Sequence, residues 1–116
     1  MWYPPPTNCL KFNVDGSAKA STGHAGCSGV LRDENGDMRA IFTAPLGTLN
    51  SNGAELMAIK MALEVFIKAG WKGKYSFIVE SDSTMAVKWV QDNACRPWLL
   101  WTTFAVIDDL SKRLEE

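Results

Sequence analysis

The stretch KFNVDGSAKA (residues 11–20) decides how the rest of the chain is read. With Leu10 before it, apolar Phe12 and Val14 alternate with Lys11, Asn13 and Asp15. A period of two is the pattern of a half-buried β-strand. The alternation stops at Asp15-Gly16-Ser17, so a first strand is expected over residues 10–17, with Asp15 at its end. This ending has two readings. Asp-Gly is ordinary turn chemistry. Alternatively, Gly16-Ser17 lets a ligand come close to the backbone beside a working carboxylate.

Downstream, AGCSGVLRDENGDMRAIFTAP (residues 25–45) reads as two further strands joined around Asn35-Gly36, a strong hairpin turn signal. Gly26 and Gly29 inside the second strand suggest a bulge or a close backbone approach. After the loop LGTLNSNG (residues 46–53) the period changes. Leu56, Ile59, Leu63, Phe66 and Ile67 follow helical spacing, Lys60, Glu64 and Lys68 form an i, i+4 charged stripe, and Gly70 ends the helix. YSFIVE (residues 75–80) is a nearly continuous apolar run, the mark of a strand covered on both faces. STMAVKWVQD (residues 83–92) is a second helix with a Ser or Asp cap, and a third is expected over residues 98–114, beyond Pro97. The expected order is β-β-β-α-β-α-α, an α/β arrangement of three antiparallel strands plus a parallel one, flanked by helices.

Composition narrows the function classes. The 116 residues suffice for one domain with its own core: 47% are hydrophobic and 22% charged. A Pro-rich lead-in occupies residues 1–8 and the domain residues 9–116. A net charge of −1 offers no global attraction for nucleic acid, so such a partner would rest on a local patch. Trp71-Lys72-Gly73-Lys74 and Lys112-Arg113 are the compact basic features. No apolar run approaches the ~20 residues of a membrane span, and MWYPPPTN (residues 1–8) lacks signal-peptide features. Cys9, Cys27 and Cys95 show no CxxC spacing and read as reduced thiols, which fits an intracellular protein. His24, the only histidine, lies in the loop-like STGHAG (residues 21–26) without a nucleophile partner.

Glu55 and Asp82 join Asp15 as acids that need a reason. At ~100° per residue, Glu55 lies about 20° around its helix from Ala62 and Phe66, and about 140° from Lys60. It therefore belongs to the buried edge. The structural alternative is a capping box, Asn52-x-x-Glu55. Asp82 follows the apolar strand directly, where active sites of open α/β sheets gather. Its alternative is capping by Asp82, Ser81 or Ser83. If the first and fourth strands are parallel neighbours, Asp15 and Asp82 emerge at one end of the sheet, with Glu55 over it. Clustered carboxylates repel unless a cation intervenes, and Mg²⁺ or Mn²⁺ suits an all-oxygen site.

KFNVDGS, NGAELMAIKMAL and VESDS resemble the Asp-Gly-Ser, Glu and Ser-Asp-Ser carboxylate motifs of the ribonuclease H family, in order and on the expected elements. AGCSGVLRDENGDM is similar to the family's second and third strands, and the lead-in is similar to the plant ribonuclease H-like subgroup found in non-LTR retroelement reverse transcriptases. The resemblance implies a mixed sheet flanked by helices and Mg²⁺-dependent hydrolysis of the RNA strand of an RNA–DNA hybrid. It implies that Asp15, Glu55 and Asp82 are metal ligands, and that Gly16, Ser17 and Asn52 touch the RNA strand, whose 2′-hydroxyls distinguish it from DNA. The family pattern continues with a fifth strand and a last helix bearing a fourth acid, and this chain stops before them. Impaired activity, and a homodimer through the open edge of the YSFIVE strand, are the corresponding expectations. Asp108 and Asp109 read as solvated surface charge. The alternative function is an inactive ribonuclease H-like module that binds nucleic acid or protein.

Overall fold

The computed structural model describes residues 7–19, 21–71, 73–92, 96 and 100–115. Most of the Pro-rich lead-in, Lys72, Cys95 and Pro97 lie outside the described residues. The elements are β1 (Cys9–Ala18), β2 (His24–Arg32), β3 (Met38–Thr48), α1 (Ser51–Lys68), β4 (Ser76–Ser81), α2 (Thr84–Gln91) and α3 (Trp101–Glu115). The sheet order is β3-β2-β1-β4, with β4 parallel to β1 and the other pairings antiparallel. A parallel neighbour needs a long crossover, and α1 supplies it. The expected mixed sheet and order of elements are those observed.

The core lies between the sheet and α1. Leu10, Phe12 and Val14 point from β1 into a cluster with Leu31, Leu56, Ile59, Leu63 and Phe66. Phe12 meets Phe42 and Phe77 edge-on, with ring centroids 5.8 Å apart in both pairs. Phe66 stacks on Phe77 at 4.3 Å. Edge-on and offset contacts suit the ring quadrupoles, so these aromatics fix the seat of α1 on the sheet. The helix ends at Ala69, and Gly70 follows with a φ of 75° that its lack of a Cβ permits.

Several expectations need correction. β1 does not end at Asp15: Asp15, Gly16 and Ser17 pair with Ser28, Cys27 and Gly26 as extended strand, which rules out the turn reading. Instead β4 stops first, its last partner being Val14 opposite Ser81. Asp15 is thus the first residue of β1 past the end of its parallel neighbour. His24 is not in a loop; it opens β2 opposite Thr48. Gly26 marks a bulge against β3, as expected, whereas Gly29 makes room for a side chain: a Cβ there would sit 2.3 Å from the Phe42 ring. β4 is only half-buried rather than covered on both faces, and its second edge has no partner strand among the described residues. Lys11, read as a solvent-facing position, is buried, with its ammonium 2.8 Å from Glu80.

Asp108 is not free surface charge. Arg96 grips it through both terminal nitrogens, at 2.8 and 2.9 Å, and donates to the carbonyls of Trp89 and Val90 at the end of α2. The guanidinium also lies over the Phe104 ring, 4.6 Å from its centroid. Arg96 therefore ties α2 to α3. Asp109 makes an exposed i, i+4 pair with Arg113, closer to the original reading. Arg96→Ala is expected to lower stability by about 2 kcal/mol, from a paired carboxylate and two carbonyls losing their donor. Urea denaturation checks this, and Arg113→Ala should change stability by less than about 0.5 kcal/mol.

Candidate active site

The two helix caps settle what the acids are not. Asn50 caps α1, its side-chain oxygen accepting from the Gly53 N–H at 2.7 Å. The helix begins at Ser51, so Glu55 lies in its second turn and takes no part in a capping box. Ser83 caps α2, its hydroxyl accepting from the Ala86 N–H at 3.1 Å. Asp82 is not the cap. Its side chain is exposed on the turn between β4 and α2. Neither acid is explained by helix-end chemistry.

Glu55 is buried, and its environment is specific. The Ser81 hydroxyl donates to its Oε2 at 2.8 Å, and the backbone N–H of Gly16 donates to the same carboxylate. Asp15 stands against it within hydrogen-bonding reach. Burial pushes the Glu55 carboxyl above its ordinary range; the Gly16 and Ser81 donors pull it back, and Asp15 raises it again. Two neighbouring carboxylates resist double ionisation, and a bound cation relieves that repulsion.

Gly16 makes this meeting possible. A Cβ on Gly16 would fall 2.3 Å from the Ala54 carbonyl carbon and 2.4 Å from the Glu55 nitrogen. The close approach that the glycine permits is therefore by the backbone of α1. This differs from the ligand approach expected from sequence, and the reason is packing of helix on strand.

Asp15 and Asp82 line one open depression of about 590 Å³ at this end of the sheet, with Asn13, Ser28, Glu80 and Ser81. Ser17 and Asp15 line a neighbouring hollow, and Asn52 sits in the first turn of α1, where it accepts from the Ser83 hydroxyl at 3.3 Å. The six sequence-predicted residues thus gather at one end of the fold. Among the described residues, however, no group of three or more His, Cys, Asp or Glu stands close enough to hold a metal ion. Asp15 stands against Glu55, and Asp82 shares with Asp15 the lining of the depression. Sequence reasoning assigned Ser81 only a possible cap, and Glu80 no role. Strand alternation, which puts Ser81 on the helix side, was the available signal.

The candidate ligands suit a hard cation, since Asp15 and Glu55 both offer carboxylate oxygens. Asp15→Asn removes the like charge beside Glu55. Without divalent metal at neutral pH, this variant is expected to be more stable by about 1 kcal/mol, a rise of roughly 4 °C in melting temperature. The gain should fade as the pH falls through the raised range of Glu55, because protonation of Glu55 removes the repulsion. Thermal denaturation in chelator across pH checks both.

A search of curated proteins returned no match. LC11-RNase H1, isolated from compost by a metagenomic approach, has a similar structure: 27% identity, a TM-score of 0.79, and coverage of 92% of this chain and 78% of the other. The same enzyme in complex with an RNA/DNA hybrid matches with 28% identity and a TM-score of 0.77, over 90% of this chain and 77% of that one. RNase H1 from Halobacterium salinarum shares the fold at 22% identity and a TM-score of 0.74, covering 87% and 75% of the two chains. The model of the family described as reverse transcriptase-like matches residues 13–116. With a four-stranded mixed sheet and the ordered acids of β1, α1 and the β4–α2 turn, the chain belongs to the reverse transcriptase-like family and has a ribonuclease H-like fold.

Proposed function

We propose that this chain is a metal-dependent endonuclease acting on the RNA strand of RNA–DNA hybrids. One observation carries the reading: a buried glutamate, not used for capping, is held against a strand aspartate at the rim of a depression that a third acid also lines. Asp15, Glu55 and Asp82 would hold Mg²⁺ or Mn²⁺. When bound, such ions activate water and stabilise the leaving oxygen of an in-line phosphoryl displacement. The chain's own part is to orient the acids and receive the hybrid. Gly16 and Ser81 hold the inner edge of Glu55, and Asp82, exposed on its turn, would be the third acidic ligand. Ser17 and the amide of Asn52 would meet the RNA strand, where 2′-hydroxyls offer both donors and acceptors.

A second reading, a module that binds hybrid or a protein partner without cutting, is favoured by the lack, among the described residues, of three His, Cys, Asp or Glu side chains close enough to hold a metal ion. An end-labelled RNA–DNA hybrid separates them. The nuclease reading expects cleavage confined to the RNA strand, dependent on Mg²⁺ or Mn²⁺, and reduced at least 100-fold in Asp15→Asn, on the order of the loss when a key electrostatic group is removed. Binding with a shallow salt dependence, unchanged by chelator and without cleavage, selects the module. Self-association through the second edge of β4 is a separate expectation, read as a concentration-dependent rise in mass by sedimentation.

A further inference from the structure

Ser81 and Ser83 flank Asp82, and each reaches across to a different side chain of α1. Ser81 Oγ accepts the Ser83 backbone N–H at 3.1 Å. An ionised carboxylate only accepts, so the single Ser81 proton points to Glu55 Oε2, 2.8 Å away. Ser83 Oγ accepts the Ala86 N–H in capping α2, and it gives its proton to Asn52 Oδ1 at 3.3 Å. With its oxygen engaged by Ser83, Asn52 presents its amide N–H groups as donors on the other side.

We propose that Ser81 and Ser83 are positioning residues: Ser81 fixes the Glu55 carboxylate for metal, and Ser83 fixes the Asn52 amide as a donor to the nucleic acid. The turn between β4 and α2 thereby sets the two working side chains of α1 relative to each other. The two links are chemically separable. Ser81 acts on an anion through a charge-assisted bond, whereas Ser83 acts on a neutral amide while also closing a helix. This inference rests on the function proposed above and deepens it by dividing metal binding from substrate reading.

The test uses the whole chain in two measurements that do not depend on turnover. Metal affinity is read from Mn²⁺ titration followed by thermal shift. Hybrid affinity is read from fluorescence anisotropy in chelator. Ser81→Ala is expected to weaken Mn²⁺ binding about tenfold, the scale of a hydrogen bond to a charged group, with hybrid affinity in chelator unchanged. Ser81→Thr, which keeps the hydroxyl, restores the native metal affinity. Ser83→Gly keeps a tolerated, uncharged cap position for α2 but cannot donate to Asn52 Oδ1. It is expected to lower hybrid affinity about fivefold and leave Mn²⁺ affinity within twofold, consistent with losing one neutral hydrogen bond. Ser83→Thr recovers hybrid binding.

Native Mn²⁺ affinity in Ser81→Ala, or native hybrid affinity in Ser83→Gly, overturns the assignment while leaving the proposed nuclease intact. Equal losses in both measurements for both variants, tracking their melting temperatures in chelator, show a purely structural role and also overturn it. Absence of any Mn²⁺-dependent shift in the native chain removes the proposed function and this assignment together.

Discussion

The contact between Gly16 and the first turns of α1 is the constraint on which the site depends. No side chain fits there, since a Cβ would lie well inside the van der Waals radii of the Ala54 and Glu55 backbone atoms. With a bare Cα on the strand, the helix settles directly onto β1. The Gly16 N–H, no longer beside β4, can then turn to the Glu55 carboxylate. One missing methyl group thus brings a helix acid and a strand acid together. The aromatic contacts of Phe12, Phe66 and Phe77 hold the same helix further along, so its angle is fixed at two points.

The assembled acids work against the fold that assembles them. Glu55 loses water on burial and faces Asp15, and both effects disfavour its ionised form. The two donors, Ser81 and Gly16, compensate only in part. Buried charge without full compensation is costly, and proteins keep it where it serves a task. The stability that tolerates this strain comes from elsewhere: the aromatic core, the dedicated caps Asn50 and Ser83, and the Arg96 clasp between α2 and α3. Because the caps are supplied by other residues, Glu55 and Asp82 are left for other work.

Much of this was legible from local pattern. Period-two alternation located β1, the Asn35-Gly36 turn placed the hairpin, and helical spacing located α1 and α2. Glu55 lies on the buried edge, as its helical angle requires, because a helix fixes side-chain direction from sequence alone. Pairwise facts were not legible. Asp15 looked like a strand end because its own alternation stopped, whereas the structure shows its neighbour β4 stopping. Asp108 looked solvated because nothing nearby in sequence reveals that Arg96 will turn back to it. β4 looked doubly covered because apolar content does not reveal what packs on each face of a strand. Asn52 looked like a cap because Asn50, Ser51 and Asn52 all suit that position and only the backbone chooses among them.

By itself the sequence determined the order of elements, the mixed character of the sheet and the identity of the acids, because period, turn residues and helical angle are local properties of the chain. Tertiary structure alone decided that Gly16 serves the packing of α1, that Ser81 and Ser83 reach Glu55 and Asn52, and that Asp15 stands against Glu55. These are distances between segments remote in sequence. They are set by how closely a helix backbone can approach a strand, and that depends on atoms from both.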